Sequence, residues 1–124
     1  MASGEPRHEH EGQGVAAIMT NIVLIAVVTA YCHCADCCGK AGQPTSSGVA
    51  PNRAWTCAGP TNLPFGTWVR FPGIIGPDWR IVEDRMASRY WAKPHFDIFV
   101  GSHSQAKAFG KRTMKVTIEP PYRK

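Results

Sequence analysis

Two aspartates, Asp84 and Asp97, are the side chains of this sequence best suited to chemistry. Asp84 closes the apolar run 79–84, and Asp97 interrupts a second apolar run, 95–100. Burying a carboxylate among β-branched and aromatic residues costs free energy, so such a group usually pairs with another polar group or has a functional role. If both runs are strands that pair, the two carboxylates predict acid–base chemistry on a substrate lying across a sheet. The alternative is a structural role, in which each aspartate lies at the end or edge of a strand and pairs with an arginine. The sequence leaves both interpretations open.

The elements that must position these aspartates are short strands separated by turns. The 124 residues suffice for one compact domain, and 12 glycines with 10 prolines favour an all-β fold rich in turns. A capping box at Ser102 and Gln105, with Gly110 beyond it, predicts a helix over 102–109. The apolar patterns predict strands at 21–31, 54–58, 67–71, 79–84, 95–100 and 112–119. Six strands and one short helix predict a small closed β-barrel.

The apolar segment 15–31 has three interpretations. It is short for a transmembrane helix and is broken by Thr20 and Asn21. A signal peptide needs a basic region before the apolar run, whereas acidic residues precede this one, so no export signal is evident. We favour a buried strand, which predicts no transmembrane span, a flexible N-terminal extension over 1–19 and a barrel domain over 20–120.

The charge of the chain is basic and unevenly distributed. The net charge is +5, and because the first 14 residues carry −2, the remainder carries +7. This balance favours a polyanionic partner, such as a bacterial envelope or a nucleic acid. The sequence has no dense run of lysine and arginine and no motif typical of nucleic-acid-binding domains, so we do not expect nucleic acid to be the partner.

Four of the five cysteines lie within 32–38, and Cys57 stands alone downstream. A zinc site normally joins two separated ligand pairs, and here the second pair is missing. His33 or His95 could complete a site, but the spacing does not demand it. Disulfides, small residues packing a tight turn, and a nucleophilic thiol are the other interpretations, of which the last has least support. We therefore predict a cluster without metal and a protein without a cofactor.

Six segments of the chain, taken in order, resemble one known family. They are Val28-Thr29-Ala30-Tyr31-Cys32-His33-Cys34 with Cys37-Cys38-Gly39, Thr45-Ser46-Ser47-Gly48, Leu63-Pro64-Phe65-Gly66-Thr67, Val82-Glu83-Asp84, Phe96-Asp97-Ile98-Phe99, and Ser102-His103 with Ala106 and Phe109-Gly110-Lys111-Arg112. This order is similar to that of the 3D domain, named for three aspartates, over about residues 20–119. The resemblance implies a double-psi β-barrel related to the catalytic domain of MltA-type lytic transglycosylases.

What the resemblance implies is cleavage of the MurNAc–GlcNAc bond of peptidoglycan without water, giving a 1,6-anhydro product. Asp97 would be the acid, because its apolar strand raises a carboxyl pKa, and Asp84 would act beside it as a like charge or as a stabiliser of positive charge. Thr45 and Ser47 would lie among the substrate-binding residues. The implied partner is the peptidoglycan glycan strand, and the implied location is the bacterial cell envelope or a phage particle.

The segment after Asp84 supplies further candidates for sugar binding. Tyr90 and Trp91 can stack on sugar faces, or they can simply pack a loop onto the barrel. Arg85 and Arg89 can meet lactyl or peptide carboxylates, although such residues more often form a solvated face.

The chain departs from the family at two places. The family's first aspartate is replaced by Gly59, and the glycine-rich stretch after the second aspartate is replaced by 85–91. Two other function classes therefore stay open: a non-catalytic glycan-binding barrel, and a structural or assembly module such as one in a phage particle.

Overall fold

Strands form most of the regular structure of this protein. The computed structural model describes residues 21–34, 44–74, 76–86 and 94–119. Within them the chain forms β1 (Ile22–Tyr31), β2 (Thr56–Gly59), β3 (Trp68–Arg70), β4 (Trp79–Arg85), β5 (His95–Phe99), the helix α1 (His103–Phe109) and β6 (Arg112–Glu119). The predicted all-β fold, a small six-stranded barrel with one short helix, is confirmed. The predicted extension over 1–19 lies outside the described residues.

The barrel is closed, and its strands follow the order β1-β5-β2-β4-β3-β6. Strands β1 and β5 are parallel, as are β2 and β4, and the other four pairings are antiparallel. Because β1 and β5 run side by side in one direction, the segments that follow them meet at the same end of the barrel. This topology brings together residues that are about 70 positions apart in the chain.

The core fills the barrel interior and follows the two-residue period of the strands. Val28, Phe96, Ile98 and Val82 are each at most 1% exposed. The rings of Phe71 and Phe96 meet edge to face with centroids 5.5 Å apart. Burying one such side chain contributes roughly 1.5–3 kcal/mol, so the interior is the main source of stability. A second, smaller apolar cluster consists of Tyr31, Ala58, Met86 and Phe99.

The helix α1 has the caps that the sequence predicted. Ser102 accepts a hydrogen bond at Oγ from the backbone N–H of Gln105, and the N–H of Gly110 donates to the carbonyl of Ala106. Gly110 has a φ of 70°, a conformation that glycine adopts without strain. Ala106 and Phe109 pack on the core. In the part of the chain described, no helix has the length and apolar character needed to cross a membrane.

Candidate active site

Asp97 and Asp84 lie on either side of one small residue, Ala58. Ala58 on β2 is in register with Asp97 on β5 and with Asp84 on β4. Residues opposite one another on adjacent strands project their side chains to the same face of a sheet. The structure therefore brings both predicted aspartates to one face of the barrel wall, two strands apart and at one level.

A β-bulge in β4 is what places Asp84 on that face. Cys57 pairs with Val82, but the next residue of β2, Ala58, pairs with Asp84, so Glu83 is an extra residue. In a regular strand Asp84 would share the face of Val82, which is buried in the core. The bulge reverses this alternation and turns Asp84 toward the side that carries Asp97.

Asp97 accepts a hydrogen bond from the neighbouring strand β1. Its Oδ1 accepts a hydrogen bond of 3.0 Å from the hydroxyl of Thr29, its register partner on β1. Burial raises the pKa of Asp97 to about 6; the bond from Thr29 opposes this shift and the charge of Asp84 adds to it. A carboxyl group with a pKa near 6 can be protonated at the start of a reaction and ionised after it.

Thr29 links Asp97 to a histidine. The hydroxyl oxygen of Thr29 lies 3.3 Å from Nε2 of His95, so it can accept a hydrogen bond there and donate to Asp97. Burial and the nearby charge of Lys111 lower the pKa of His95, which favours its neutral ring. Thr29 and His95 thus position Asp97 without adding a charge beside it.

Asp84 is surrounded by donors. Oδ1 accepts from the backbone N–H and the hydroxyl of Ser46 and from the N–H of Arg85, each at 2.9 Å. Oδ2 accepts from the hydroxyl of Tyr31 at 2.9 Å. Burial and the charge of Asp84 hold the pKa of Tyr31 far above its ordinary value, so the phenol stays a donor. These four bonds fix the position of the Asp84 carboxyl group.

Thr45 and Ser47 belong to a loop that docks on β4, called here the serine loop (residues 44–50). The Thr45 hydroxyl donates to the carbonyl of Val49 at 2.8 Å, and only 6% of the residue is exposed. The N–H of Ser47 donates to the carbonyl of Glu83, and its hydroxyl lies 3.1 Å from that of Thr45. Both predicted substrate-binding residues thus flank Ser46, which bonds to Asp84, and their hydroxyls contact each other.

Arg85 holds a turn together. Its Nη1 donates to the carbonyls of Pro60 at 3.1 Å and Leu63 at 2.8 Å, and its guanidinium carbon lies 4.1 Å from the centroid of the Phe65 ring. Through these contacts the guanidinium group of Arg85 holds the turn formed by residues 60–65. The other candidates in this segment, Arg89, Tyr90 and Trp91, lie outside the described residues.

Gly59, which the resemblance aligns with the first aspartate of the 3D domain, faces the core. A Cβ atom built on Gly59 would lie 3.4 Å from Cε1 of Phe96 and 3.4 Å from both methyl groups of Val82. A side chain here would begin among apolar groups, away from the face that carries Asp84 and Asp97.

Several polar residues of this region were not among the predicted site residues. Thr29, Tyr31 and Ser46 were missed because each meets an aspartate only through strand pairing or loop docking. Glu83 was missed because the strand was predicted as regular through Asp84, without the bulge. Thr56 donates to Oε1 of Glu83 at 2.7 Å, and burial raises the pKa of Glu83. The adjacent acids Glu83 and Asp84 at the end of an alternating strand are the signal that could have indicated the bulge.

A group of possible metal ligands lies apart from the aspartates. The Sγ atoms of Cys32 and Cys34 and a ring nitrogen of His103 all lie within 4.8 Å of one another. The prediction of a metal-free cluster rested on the missing second ligand pair, and the histidines considered beside the cysteines were His33 and His95. The structure places a different histidine, His103 of α1, next to Cys32 and Cys34.

A cavity of about 250 Å³ is also separate from the aspartate pair. Its lining residues are Arg53, Ala54, Gly76, Pro77, Arg80, Phe99, Val100, Gly101 and Gln105. Arg80 in its lining is 1% exposed and donates a hydrogen bond of 3.0 Å to the carbonyl of Phe99. This buried arginine therefore links β4 to β5.

No protein-family model matches this chain, and no curated protein matches it either.

Proposed function

We propose that this barrel is a peptidoglycan-cleaving domain of the lytic transglycosylase kind, similar to the 3D domain in fold and chemistry. The observation that carries the proposal is the aspartate pair: two carboxyl groups on one face, flanking Ala58, in unequal environments. Within the part of the chain that the structure describes, Asp97 accepts a side-chain hydrogen bond from Thr29 alone and has a raised pKa, whereas Asp84 accepts four hydrogen bonds. Pairs of acids whose environments differ in this way divide acid and base roles.

In the proposed reaction Asp97 gives its proton to the glycosidic oxygen between MurNAc and GlcNAc. The bond from that oxygen to the anomeric carbon breaks, the GlcNAc-containing strand leaves with a free hydroxyl, and positive charge develops on the MurNAc ring. The Asp97 carboxylate then takes the proton of the C6 hydroxyl as that oxygen bonds to the anomeric carbon. The 1,6-anhydro ring closes, no water is consumed, and Asp97 ends protonated as it began.

Asp84 acts through its charge. Its oxygens are held by Tyr31, Ser46 and Arg85, so the carboxylate is fixed in position before substrate arrives. A preorganised negative charge near a developing oxocarbenium ion stabilises the transition state without moving. The same charge raises the pKa of Asp97, which keeps more of the acid protonated.

The chain's basic charge fits an anionic cell-wall polymer, because the net charge is +5. Location in the bacterial envelope or in a phage particle is part of the proposal. Sugar contacts by Arg89, Tyr90 and Trp91 are part of it too, since their segment joins the strands that carry the two aspartates.

The second candidate function is glycan binding without cleavage. Gly59 favours it, because no carboxylate stands at the position of the family's first aspartate. A structural module that neither binds nor cleaves glycan is the third class.

One experiment separates the three. The purified full chain is incubated with peptidoglycan sacculi, and the soluble fraction is searched for 1,6-anhydro-muropeptides by mass spectrometry, with the Asp97→Asn variant as the matched control. The proposal expects release by the parent chain and none by the variant. Pelleting with the sacculi without release would identify a binder, and neither pelleting nor release would identify a scaffold.

A further inference from the structure

We propose that Cys32, Cys34 and His103, called here the cysteine–histidine cluster, form a zinc site at one end of the barrel. The proposal is independent of the function proposed above, because the cluster shares no residue with the aspartate pair. It stands on the position, the spacing and the chemical identity of three side chains.

The topology is what assembles the cluster. Cys32 and Cys34 directly follow β1, and His103 begins α1 four residues after the end of β5. Strands β1 and β5 are parallel neighbours, with Tyr31 paired to Phe99, so both chain segments leave the barrel at the same place. A backbone bond from the N–H of Val100 to the carbonyl of Tyr31, 2.8 Å long, continues this pairing next to the cluster.

The spacing of the ligand atoms fits a tetrahedral ion. With Zn–S near 2.3 Å and Zn–N near 2.0–2.1 Å, two ligand atoms on a tetrahedron lie about 3.5–3.6 Å apart for sulfur and nitrogen, and about 3.8 Å apart for two sulfurs. Sγ of Cys34 lies 3.5 Å from Nδ1 of His103. All three ligand atoms lie within 4.8 Å of one another, so small rotations of the side chains suffice to close the site.

The donor set favours zinc over the hard cations calcium and magnesium. Two thiolates and one imidazole are ligands that zinc prefers, whereas calcium and magnesium require oxygen ligands. The cluster also has the graded burial expected of an accessible site: Cys32 is buried, Cys34 is half-buried and His103 is exposed. An ion can therefore enter from solvent and still be held on one side by the barrel wall.

The proposed consequence is a cross-link between the end of β1 and the start of α1. The segment 32–34 follows Tyr31, which donates to Asp84. A bound ion would tie this segment to the helix. It would stabilise the folded state by mass action, because the unfolded chain does not hold the three ligands together.

The test uses the full chain, refolded or purified under reducing conditions and freed of metal by dialysis against chelator. Zinc binding is measured by titration calorimetry and by elemental analysis after gel filtration. Cobalt(II) serves as a spectroscopic probe, because thiolate ligands give it a charge-transfer band. We expect one zinc per chain, a thiolate–cobalt band, and a thermal midpoint that rises when zinc is added.

The informative variants are Cys34→Ser and His103→Ala, because neither side chain is fully buried and both variants should fold. Loss of a partner in the outer sphere of a site costs about 10–100-fold in affinity, so loss of a direct ligand should cost at least about 100-fold. The matched control is His33→Ala, which changes the residue between the two cysteines and should leave zinc affinity within about threefold of the parent. Less than one zinc per two chains, no thiolate–cobalt band, or equal losses in His33→Ala and His103→Ala would overturn the proposal.

Discussion

Asp97 and Asp84 are held in register with the same alanine, yet their surroundings differ in almost every respect. Among the described residues, Asp97 receives one side-chain hydrogen bond, from Thr29, and burial raises its pKa to about 6. Asp84 receives four bonds, three of them through Ser46 and Arg85. Strand pairing therefore decides where a carboxyl group lies, and the loops that dock on it decide what it can do. In the proposed reaction this difference makes Asp97 the proton carrier and Asp84 the fixed charge.

The largest expected effect concerns turnover. Asparagine at position 97 cannot carry a proton, so Asp97→Asn should lower release of anhydro-muropeptides by at least about 100-fold. Asp84→Asn keeps the proton donor Asp97 and removes the fixed negative charge, and it should lower release less. Both rates are measured on sacculi at one pH, with circular dichroism as the check on folding. The division of roles is reversed if Asp84→Asn is inactive while Asp97→Asn keeps most of its activity.

The next effect concerns stability at neutral pH. Asp84→Asn places an amide where four donors converge, so we expect it to lower the free energy of unfolding by about 2–4 kcal/mol. The matched control is Ser46→Ala, which removes one exposed donor and leaves the others; it should cost about 1 kcal/mol or less. Urea unfolding at pH 7 measures both. Equal costs for the two variants would show that the bonds to Asp84 contribute little.

Asp97→Asn should act on stability in the opposite direction. The folded pKa of Asp97, about 6, lies above its ordinary value of 3.8, so the folded state binds this proton more tightly than the unfolded chain does. The resulting stability is fully present below about pH 4 and is lost as the pH rises through 6, a change of up to about 3 kcal/mol. Because asparagine is uncharged, the variant should be more stable than the parent by about 1–3 kcal/mol at pH 7 and equal to it at pH 4.

Urea unfolding at both pH values checks this prediction. A difference of the same size at pH 4 and pH 7 would assign the effect to packing and not to charge. A variant less stable than the parent at pH 7 would contradict the raised pKa itself.

The smallest expected effect sharpens the role of Thr29. Its hydrogen bond lowers the pKa of Asp97 against the effect of burial, so Thr29→Val should move that pKa further upward. Thr29→Ser keeps the donor and should leave the pKa close to that of the parent. A titration of the Asp97 carboxyl carbon by NMR measures both variants. A downward shift in Thr29→Val would show that the hydroxyl favours the neutral acid instead.

The sequence predicted the strands well, because their signals are local. Alternation and turn residues predicted 112–119 as a strand, and β6 spans Arg112–Glu119; the caps predicted α1 to within one residue. The strands predicted at 54–58 and 67–71 span Thr56–Gly59 and Trp68–Arg70 in the structure. Their ends differ by one or two residues because strand propensity does not determine where strand pairing stops. Asp84 and Asp97 were recognised because a charge in an apolar strand stands out.

The sequence could not predict the contacts that decide the roles of the aspartates. The bulge at Glu83 depends on pairing with β2, and the bond from Ser46 to Asp84 joins residues 38 positions apart. His103 was missed as a possible ligand for the same reason, since only the parallel pairing of β1 and β5 brings it to the cysteines. Such contacts follow from the closed barrel and not from any local pattern.

The most direct test of the central claim is the fate of solvent oxygen during glycan cleavage. The full chain is incubated with sacculi in water enriched in oxygen-18, and the new chain ends are analysed by mass spectrometry. Attack by the C6 hydroxyl predicts 1,6-anhydro ends without the label, in amounts that fall as the pH is raised above 6 and Asp97 ionises. Labelled reducing ends would show hydrolysis, and no new ends at any pH would show that the aspartate pair does not cleave glycan.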